Sequence, residues 1–119
     1  MGGVPAAAGP YRVAVRHGDL LFCSGQIGLD PGTGEMVEGG AAAEMRHVME
    51  NLAAVCEENG TSLDRALKMT LYTTATGEFP ALNEVYAGCF EGELPARAAM
   101  GVTFLPRGAF VMVDAVVAV

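Results

Sequence analysis

The sequence predicts an α+β fold in which two helices pack on one face of a mixed or antiparallel sheet. Three observations support this prediction. Segments near both ends of the chain have strand character, two segments between them show apolar residues at helical spacing, and the order is β-β-α-β-α-β-β. A length of 119 residues is typical of one domain, so residues 1–119 are predicted to form a single domain.

The N-terminal part of the chain predicts an arm followed by a β-hairpin. Residues 1–9 are expected to be a loose arm, because they are mostly Gly, Ala and Pro. Residues 11–16 alternate and residues 19–24 are strongly apolar, with His17-Gly18-Asp19 as a tight turn between them. A further turn is predicted at 30–34, where proline fixes φ and glycine allows positive φ.

Two helices are predicted, at residues 41–59 and 78–90. The first should end at Gly60, a typical C′ residue. Glu44 is assigned to its solvent-facing side. The apolar stripe of the first helix is Met45, Val48, Met49, Leu52, Val55 and Cys56, and that of the second is Phe79, Leu82, Tyr86 and Phe90.

The remaining strands are predicted at 67–74, 97–104 and 109–119, and a short capped turn at 62–65. The last strand is apolar on both faces. One face should meet the helices, and sister subunits are the simplest cover for the other.

Composition excludes several classes of function. The net charge is −7, with 7 Lys and Arg against 14 Asp and Glu, which argues against a nucleic-acid partner. No apolar run is long enough for a membrane span, and the first ten residues do not resemble a signal peptide. Cys23, Cys56 and Cys89 have no metal-ligand spacing and are predicted to be buried free thiols. We therefore expect a cytoplasmic protein without a metal site.

Arg97 is an unusual cation for so acidic a chain. It follows Pro95 at the start of an apolar stretch. A guanidinium can hold a carboxylate through two parallel hydrogen bonds, so a small carboxylic acid is the first ligand class to consider.

Five short motifs accompany this arginine: Gly9-Pro10-Tyr11, Phe22-Cys23-Ser24-Gly25-Gln26-Ile27, Asn83-Glu84-Val85-Tyr86, Pro95-Ala96-Arg97 and Leu105-Pro106-Arg107-Gly108. Each alone is weak. In this order and at this spacing they resemble the RidA/YjgF family of reactive-intermediate deaminases, over residues 9–119.

The resemblance implies a chorismate-mutase-like fold and a homotrimer. Three sheets would form a central barrel, with a cleft at each subunit interface. It also implies hydrolysis of enamine and imine acids, such as 2-aminoacrylate or 2-iminopropanoate, to a 2-keto acid and ammonia. No cofactor is implied.

The resemblance also assigns site residues. Arg97 matches the arginine that binds the substrate carboxylate, and Tyr11 matches a tyrosine lining the cleft. Ser24 and Gly25 match the Ser-Gly at the cleft floor, where backbone N–H groups can face the ligand. Asn83 matches an asparagine near the mouth.

One position departs from the family pattern. Met112 stands where the family's deaminases carry an acid that positions the attacking water, and methionine can neither orient water nor carry a proton. Asp114 matches a second family acid. It lies on the same side of the strand as Met112, about 6–7 Å away along it. Ala99 replaces a cysteine found in some members.

Structural interpretations stand beside these roles. Arg97 could be an interface ion-pair partner, Tyr11 a core aromatic residue and Ser24 a turn residue. Asp114 is either a site acid or part of an ion pair. His17 and His47 are expected at the surface.

Three functions are therefore compared. The first is an imine or enamine deaminase in which Arg97 and Asp114 are catalytic and Tyr11, Ser24, Gly25, Asn83 and Met112 contribute to substrate binding. The second is tautomerisation, cyclisation or condensation of an imine intermediate, favoured by Met112. The third is a non-catalytic regulator that binds small carboxylic acids. A ribonuclease or translation inhibitor, as attributed to some relatives, is least favoured by the negative charge.

Overall fold

The computed structural model describes residues 3–119 and confirms the predicted order of elements. The strands and helices are β1 (Ala14–His17), β2 (Leu20–Gln26), α1 (Ala41–Glu58), β3 (Ala66–Thr73), α2 (Phe79–Ala87), β4 (Ala96–Gly101) and β5 (Val111–Ala118). Short 3₁₀ turns lie at Leu63–Arg65, Thr76–Glu78 and Pro106–Gly108. No helix within residues 3–119 has the length and apolar character required to cross a membrane.

One five-stranded sheet, in the order β1-β2-β5-β3-β4, forms the centre of the molecule. The pairs β1–β2, β2–β5 and β3–β5 are antiparallel, and β3–β4 is parallel. Helix α2 connects the two parallel strands, because a parallel pair requires a crossover connection. The predicted α+β class with a mixed sheet is confirmed.

Strand β5 shows how the two faces of the sheet differ. Residues 111, 113, 115 and 117 are buried, and α1 packs on β5 and β2. The intervening residues 112, 114, 116 and 118 are only half-buried on the opposite face. No helix of the described chain packs on this second face, which we call the outer face. Its exposed large residues include Phe22 and Met100, at 43% and 42% accessibility.

The ends of several elements differ from the prediction. Helix α2 ends at Ala87 rather than at residue 90, since Gly88 follows and the next two residues form turn hydrogen bonds. Phe90 nevertheless stacks on Tyr86, with ring centroids 5.1 Å apart. The strand predicted at 97–104 ends at residue 101. Ser62 makes no side-chain capping bond, so its turn is not capped as predicted.

The C-terminus of α1 agrees with the prediction. Gly60 adopts φ +77°, the N–H of Thr61 donates to the carbonyl of Cys56 at 3.0 Å, and the N–H of Gly60 donates to that of Glu57 at 3.2 Å. This pair of bonds is a Schellman motif.

Glu44 is wrongly predicted to face solvent. It is 5% exposed, and its Oε1 accepts a hydrogen bond from the backbone N–H of Phe110 at 2.8 Å. Burial raises the pKa of its carboxyl group, while the backbone N–H groups of Phe110 and Val111 oppose that rise. Asn51 lies on the same face of α1, about two turns further along. Its side chain donates to the carbonyls of Ile27 and Leu29 at 3.2 and 3.0 Å. These two buried polar side chains hold the chain after β2 and before β5 against α1.

The N-terminal arm has no helix or strand over residues 3–9. Pro5 is buried, and Val4 packs against the hydrophobic core. The first two residues of the predicted arm lie outside the described chain.

Candidate functional site

Four of the predicted site residues line one cavity of about 310 Å³ on the outer face. They are Tyr11, Ser24, Gly25 and Met112. The N-terminal arm and the Pro106–Gly108 turn complete its walls. Residues as far as 101 positions apart in sequence therefore meet, because β2 and β5 are neighbours in the sheet.

An irregularity in β2 shapes the floor of this cavity. The register between β2 and β5 shifts between Cys23 and Gln26, so that Ser24 and Gly25 lie in the bulge. A bulge bends a strand locally and redirects its backbone and side chains. The Ser24 hydroxyl donates to the carbonyl of Arg12 at 2.7 Å, and its N–H donates to that of Val13 at 2.9 Å. This side chain ties β2 to the chain before β1, as the turn interpretation expected.

Met112 packs directly on the floor. A Cβ atom placed on Gly25 would lie 2.8 Å from the Met112 sulfur and 3.0 Å from its Cγ. Only glycine leaves room for this side chain without a shift. The thioether therefore covers the backbone of Gly25, and the region where the family pattern places an acid is apolar.

Tyr11 lies at the side of the cavity. It is 49% exposed, which excludes the interpretation as a core aromatic residue within the isolated chain. Its hydroxyl oxygen accepts a hydrogen bond from the N–H of Ala8 at 3.3 Å. The tyrosine thus contacts the N-terminal arm, which lines the same cavity.

Arg97 lies elsewhere, on the helix-facing side of β4. It is in register with Met69, a core residue of β3. Its Nη1 donates to Oδ1 of Asn83 at 2.8 Å, and its guanidinium carbon lies 4.9 Å from the centre of the Tyr86 ring. The predicted pair Arg97 and Asn83 is therefore brought together, on α2 and the edge strand β4.

The guanidinium of Arg97 is exposed, and no carboxylate among residues 3–119 lies within 4.0 Å of it. The amide oxygen of Asn83 and the face of Tyr86 orient it without neutralising its charge. Tyr86 was not predicted as a site residue. Its hydroxyl is buried and has no hydrogen-bond partner in the described chain, and burial raises its pKa while Arg97 lowers it.

Asp114 is not among the residues that line the cavity. Its Oδ2 accepts a hydrogen bond from the Tyr72 hydroxyl at 2.9 Å. Burial raises the pKa of Tyr72, and the neighbouring carboxylate adds to this rise because it stabilises the protonated phenol. Asp114 thus has a polar partner on the outer face within its own chain.

The two groups of site residues lie on opposite faces of the sheet. Arg97 is level with Met69, whereas Met112 is level with Tyr72 and Asp114 with Thr70. Because side chains alternate along a strand, these odd and even positions of β3 face opposite ways. One chain therefore does not bring Arg97 to Met112.

Two further parts of the cavity wall were missed. Arg107 adopts φ +61°, unusual for a residue other than glycine, and its Nη2 donates to the carbonyl of Gly34 at 3.2 Å. The Pro-Arg-Gly sequence signals a turn but not its place beside the cavity. The wall formed by residues 5–8 was missed because the arm has no periodic pattern.

The remaining predictions concern cysteines and metal ions. Cys23 and Cys56 are buried, Cys89 is partly buried, and all three are free thiols. Within residues 3–119 no cluster of three His, Cys, Asp or Glu side chains could hold a metal ion. His17 is exposed as predicted, but His47 is only 23% exposed and lies 3.5 Å from Glu50.

Comparison with known proteins identifies close relatives over the whole chain. The family model described as Endoribonuclease L-PSP matches residues 1–119. A mouse protein named 2-iminobutanoate/2-iminopropanoate deaminase is 39% identical, over 94% of this chain and 83% of its own length.

Solved structures show the same fold. RidA from an Antarctic Psychrobacter species has a TM-score of 0.94 at 39% identity, covering 98% of this chain and 94% of that one. E. coli TdcF, solved with bound serine, has a TM-score of 0.93 at 31% identity, covering 98% and 93%.

Proposed function

Because the chain belongs to the endoribonuclease L-PSP family, which is also known as RidA/YjgF, we propose that it hydrolyses 2-imino and 2-enamino acids. 2-Iminopropanoate would yield pyruvate and ammonia, without a cofactor. The observation that carries this proposal is Arg97, an exposed guanidinium oriented by Asn83 and Tyr86 with no carboxylate partner in the described chain. The deaminase name of the mouse relative and the serine bound to TdcF support a small amino-acid-like ligand.

The site requires a second copy of the chain. A ligand can touch Arg97 and the cavity on the outer face only if two subunits supply them, because one chain places them on opposite faces. The outer face has the apolar character of an interface, with Phe22 and Met100 exposed. Three copies, with their outer faces forming a barrel, satisfy both requirements and agree with the homotrimer that the family resemblance implies.

The chemistry follows from this arrangement. Arg97 holds the carboxylate through two charge-assisted hydrogen bonds. We assign the polarisation of the imine to the backbone of Gly25, since the N–H of Ser24 already donates to the carbonyl of Val13. Water adds to the imine carbon, and the resulting carbinolamine releases ammonia to leave the 2-keto acid. Proximity and charge stabilisation supply the rate enhancement, since Met112 provides no acid or base.

Asp114 is the nearest candidate for proton transfer on the strand that carries Met112. One of its oxygens accepts from Tyr72, and the other is free to accept from water. We therefore assign Asp114 a supporting catalytic role, in which it orients water at the subunit interface.

The test generates 2-iminopropanoate with an amino-acid oxidase and follows its loss with and without the protein. Arg97→Ala removes a bidentate charged contact worth about 3 kcal/mol, so kcat/KM should fall about 100-fold. Arg16→Ala is the matched control, because it removes an exposed arginine whose side chain, among residues 3–119, donates only to the carbonyl of Gly18. Equal rates in Arg97→Ala and the control would contradict the proposed clamp. A monomeric mass in solution would contradict the interface site.

A second candidate function is favoured by Met112. Its thioether keeps water from the floor at Gly25, and such a site suits tautomerisation, cyclisation or condensation of an imine. Product analysis separates the two, because hydrolysis accelerates formation of the 2-keto acid, whereas tautomerisation, cyclisation and condensation give a different organic product. If no imine is consumed and carboxylate binding still depends on Arg97, the protein is a non-catalytic binder of small acids.

A further inference from the structure

The cavity on the outer face is lined mainly by apolar residues, and its polar side chains are Tyr11, Ser24, Gln26 and Arg107. The Ser24 hydroxyl donates to Arg12, the Tyr11 hydroxyl accepts from Ala8, and Arg107 donates to Gly34. Most of the remaining wall is aliphatic. A ligand group in this cavity gains by burying apolar surface rather than by forming hydrogen bonds.

Two chain-specific features give the cavity this character. Met112 covers the floor at Gly25 with a thioether where a carboxyl group would make the same region polar. The arm also lines the cavity through residues 6–8, and Tyr11 holds the arm through its bond to Ala8. These three residues are alanines, and an alanine side chain can offer at most a single carbon to the cavity.

The volume, which is that of the cavity in a single chain, also exceeds what the side chain of the smallest substrate needs. A cavity of about 310 Å³ equals the liquid volume of about ten water molecules. The methyl side chain of 2-iminopropanoate is about as large as one water molecule, so it fills about a tenth of that space. A side chain of several carbons would bury apolar surface that a methyl group leaves in contact with water.

We infer that the preferred substrates are 2-imino acids with aliphatic side chains of several carbons, which lie between Met112 and the arm. This inference rests on the proposed function and assigns the substrate class of the same site. Each buried methylene raises affinity about four-fold, so three added carbons raise kcat/KM about 50-fold over 2-iminopropanoate.

The experiment compares imino acids generated by an L-amino-acid oxidase from alanine, 2-aminobutyrate and leucine. Hydrolysis should quicken along this series, with kcat/KM for the leucine-derived imine about 50-fold above that for the alanine-derived one. Ala7→Leu narrows the cavity and should shift this ratio at least ten-fold toward the smaller substrate. Ala87→Leu, at an exposed position at the end of α2, is the control and should leave the ratio unchanged.

A binding measurement keeps this inference separate from the proposed function. Calorimetry with pyruvate and 4-methyl-2-oxopentanoate tests the cavity without any reaction, and the branched acid should bind about 50-fold more tightly. If no imine is hydrolysed, the proposed function fails while this order of affinities still decides the inference. If imines are hydrolysed but the smallest is preferred, or if pyruvate binds as tightly as the branched acid, the inference is overturned and the deaminase stands.

Discussion

Replacing Met112 with glutamate should turn the apolar floor of the cavity into a hydrolytic one. The methionine sulfur and the glutamate carboxyl carbon are both three bonds from Cα, so the new carboxyl group would occupy the position of the thioether. That position adjoins Gly25, since a Cβ atom there would lie 2.8 Å from the Met112 sulfur. The carboxylate would therefore stand beside the backbone groups that are proposed to polarise the imine.

The magnitude follows from two opposing effects. A positioned general base contributes about 10²–10⁴-fold to a rate. The half-buried apolar surroundings raise the pKa of a carboxyl group, so only part of the enzyme carries the base at neutral pH. We therefore expect the lower end, an increase in kcat of about 100-fold with 2-iminopropanoate. Placing a polar group among these apolar residues should lower the free energy of unfolding by about 1–3 kcal/mol.

The assay measures kcat across pH for wild type, Met112→Glu and Met112→Gln. The glutamine variant has the same length and polarity but cannot take up a proton, so only the glutamate variant should gain. Its rate should rise with pH as the introduced carboxyl group ionises. No gain in either variant would refute the reasoning and indicate that ordered water or Asp114 already supplies the base. An equal gain in both would also refute it, because glutamine cannot act as a base.

Two further predictions concern stability, measured by thermal unfolding at one protein concentration. The folded-state pKa of Glu44 is raised above its ordinary 4.5. The contribution of this carboxyl group to stability is therefore fully present below pH 4.5 and is lost as pH rises through the raised pKa. Glutamine at position 44 can still accept the hydrogen bond from Phe110, so the unfolding temperature of Glu44→Gln should rise relative to that of the wild type between pH 4.5 and pH 7.5; parallel profiles of the two proteins would contradict this. Gly25→Ala should destabilise the fold by at most about 1 kcal/mol, because the overlapping atoms belong to the flexible Met112 side chain, which can move aside. In the Met112→Ala background, Gly25→Ala should destabilise much less. If the effects of the two substitutions simply add, the overlap with Met112 is not the cause of the loss.

Periodicity predicted the elements of the fold because each strand and helix buries one face. Strand β5 illustrates this. Buried and half-buried residues alternate over 111–118, even though both faces of the strand are apolar in sequence. Element ends were less predictable. The apolar residue Phe90 extended the helical pattern, but in the structure it packs on Tyr86 from outside the helix.

The buried polar residues could not be predicted in the same way. Glu44 has the sequence signature of a solvated helix face, and its partner is a backbone N–H 66 residues further along the chain. Asn51 likewise bonds to carbonyls more than 20 residues away. Such side chains are buried because other segments supply donors and acceptors, which only the tertiary fold reveals.

Strand register, and not the sequence motifs, decides which site residues lie on the same face of the sheet. Arg97 is level with Met69 and Met112 with Tyr72, and a shift of one residue in either pairing would put both side chains on the same face. With the observed register, Arg97 and the cavity can act on one ligand only across a subunit boundary. Asp114 shares the face of Met112, so the proposed interface would also bring it near that ligand. The Tyr72 hydroxyl occupies only one of its oxygens, which leaves the other available for the proposed role of orienting water.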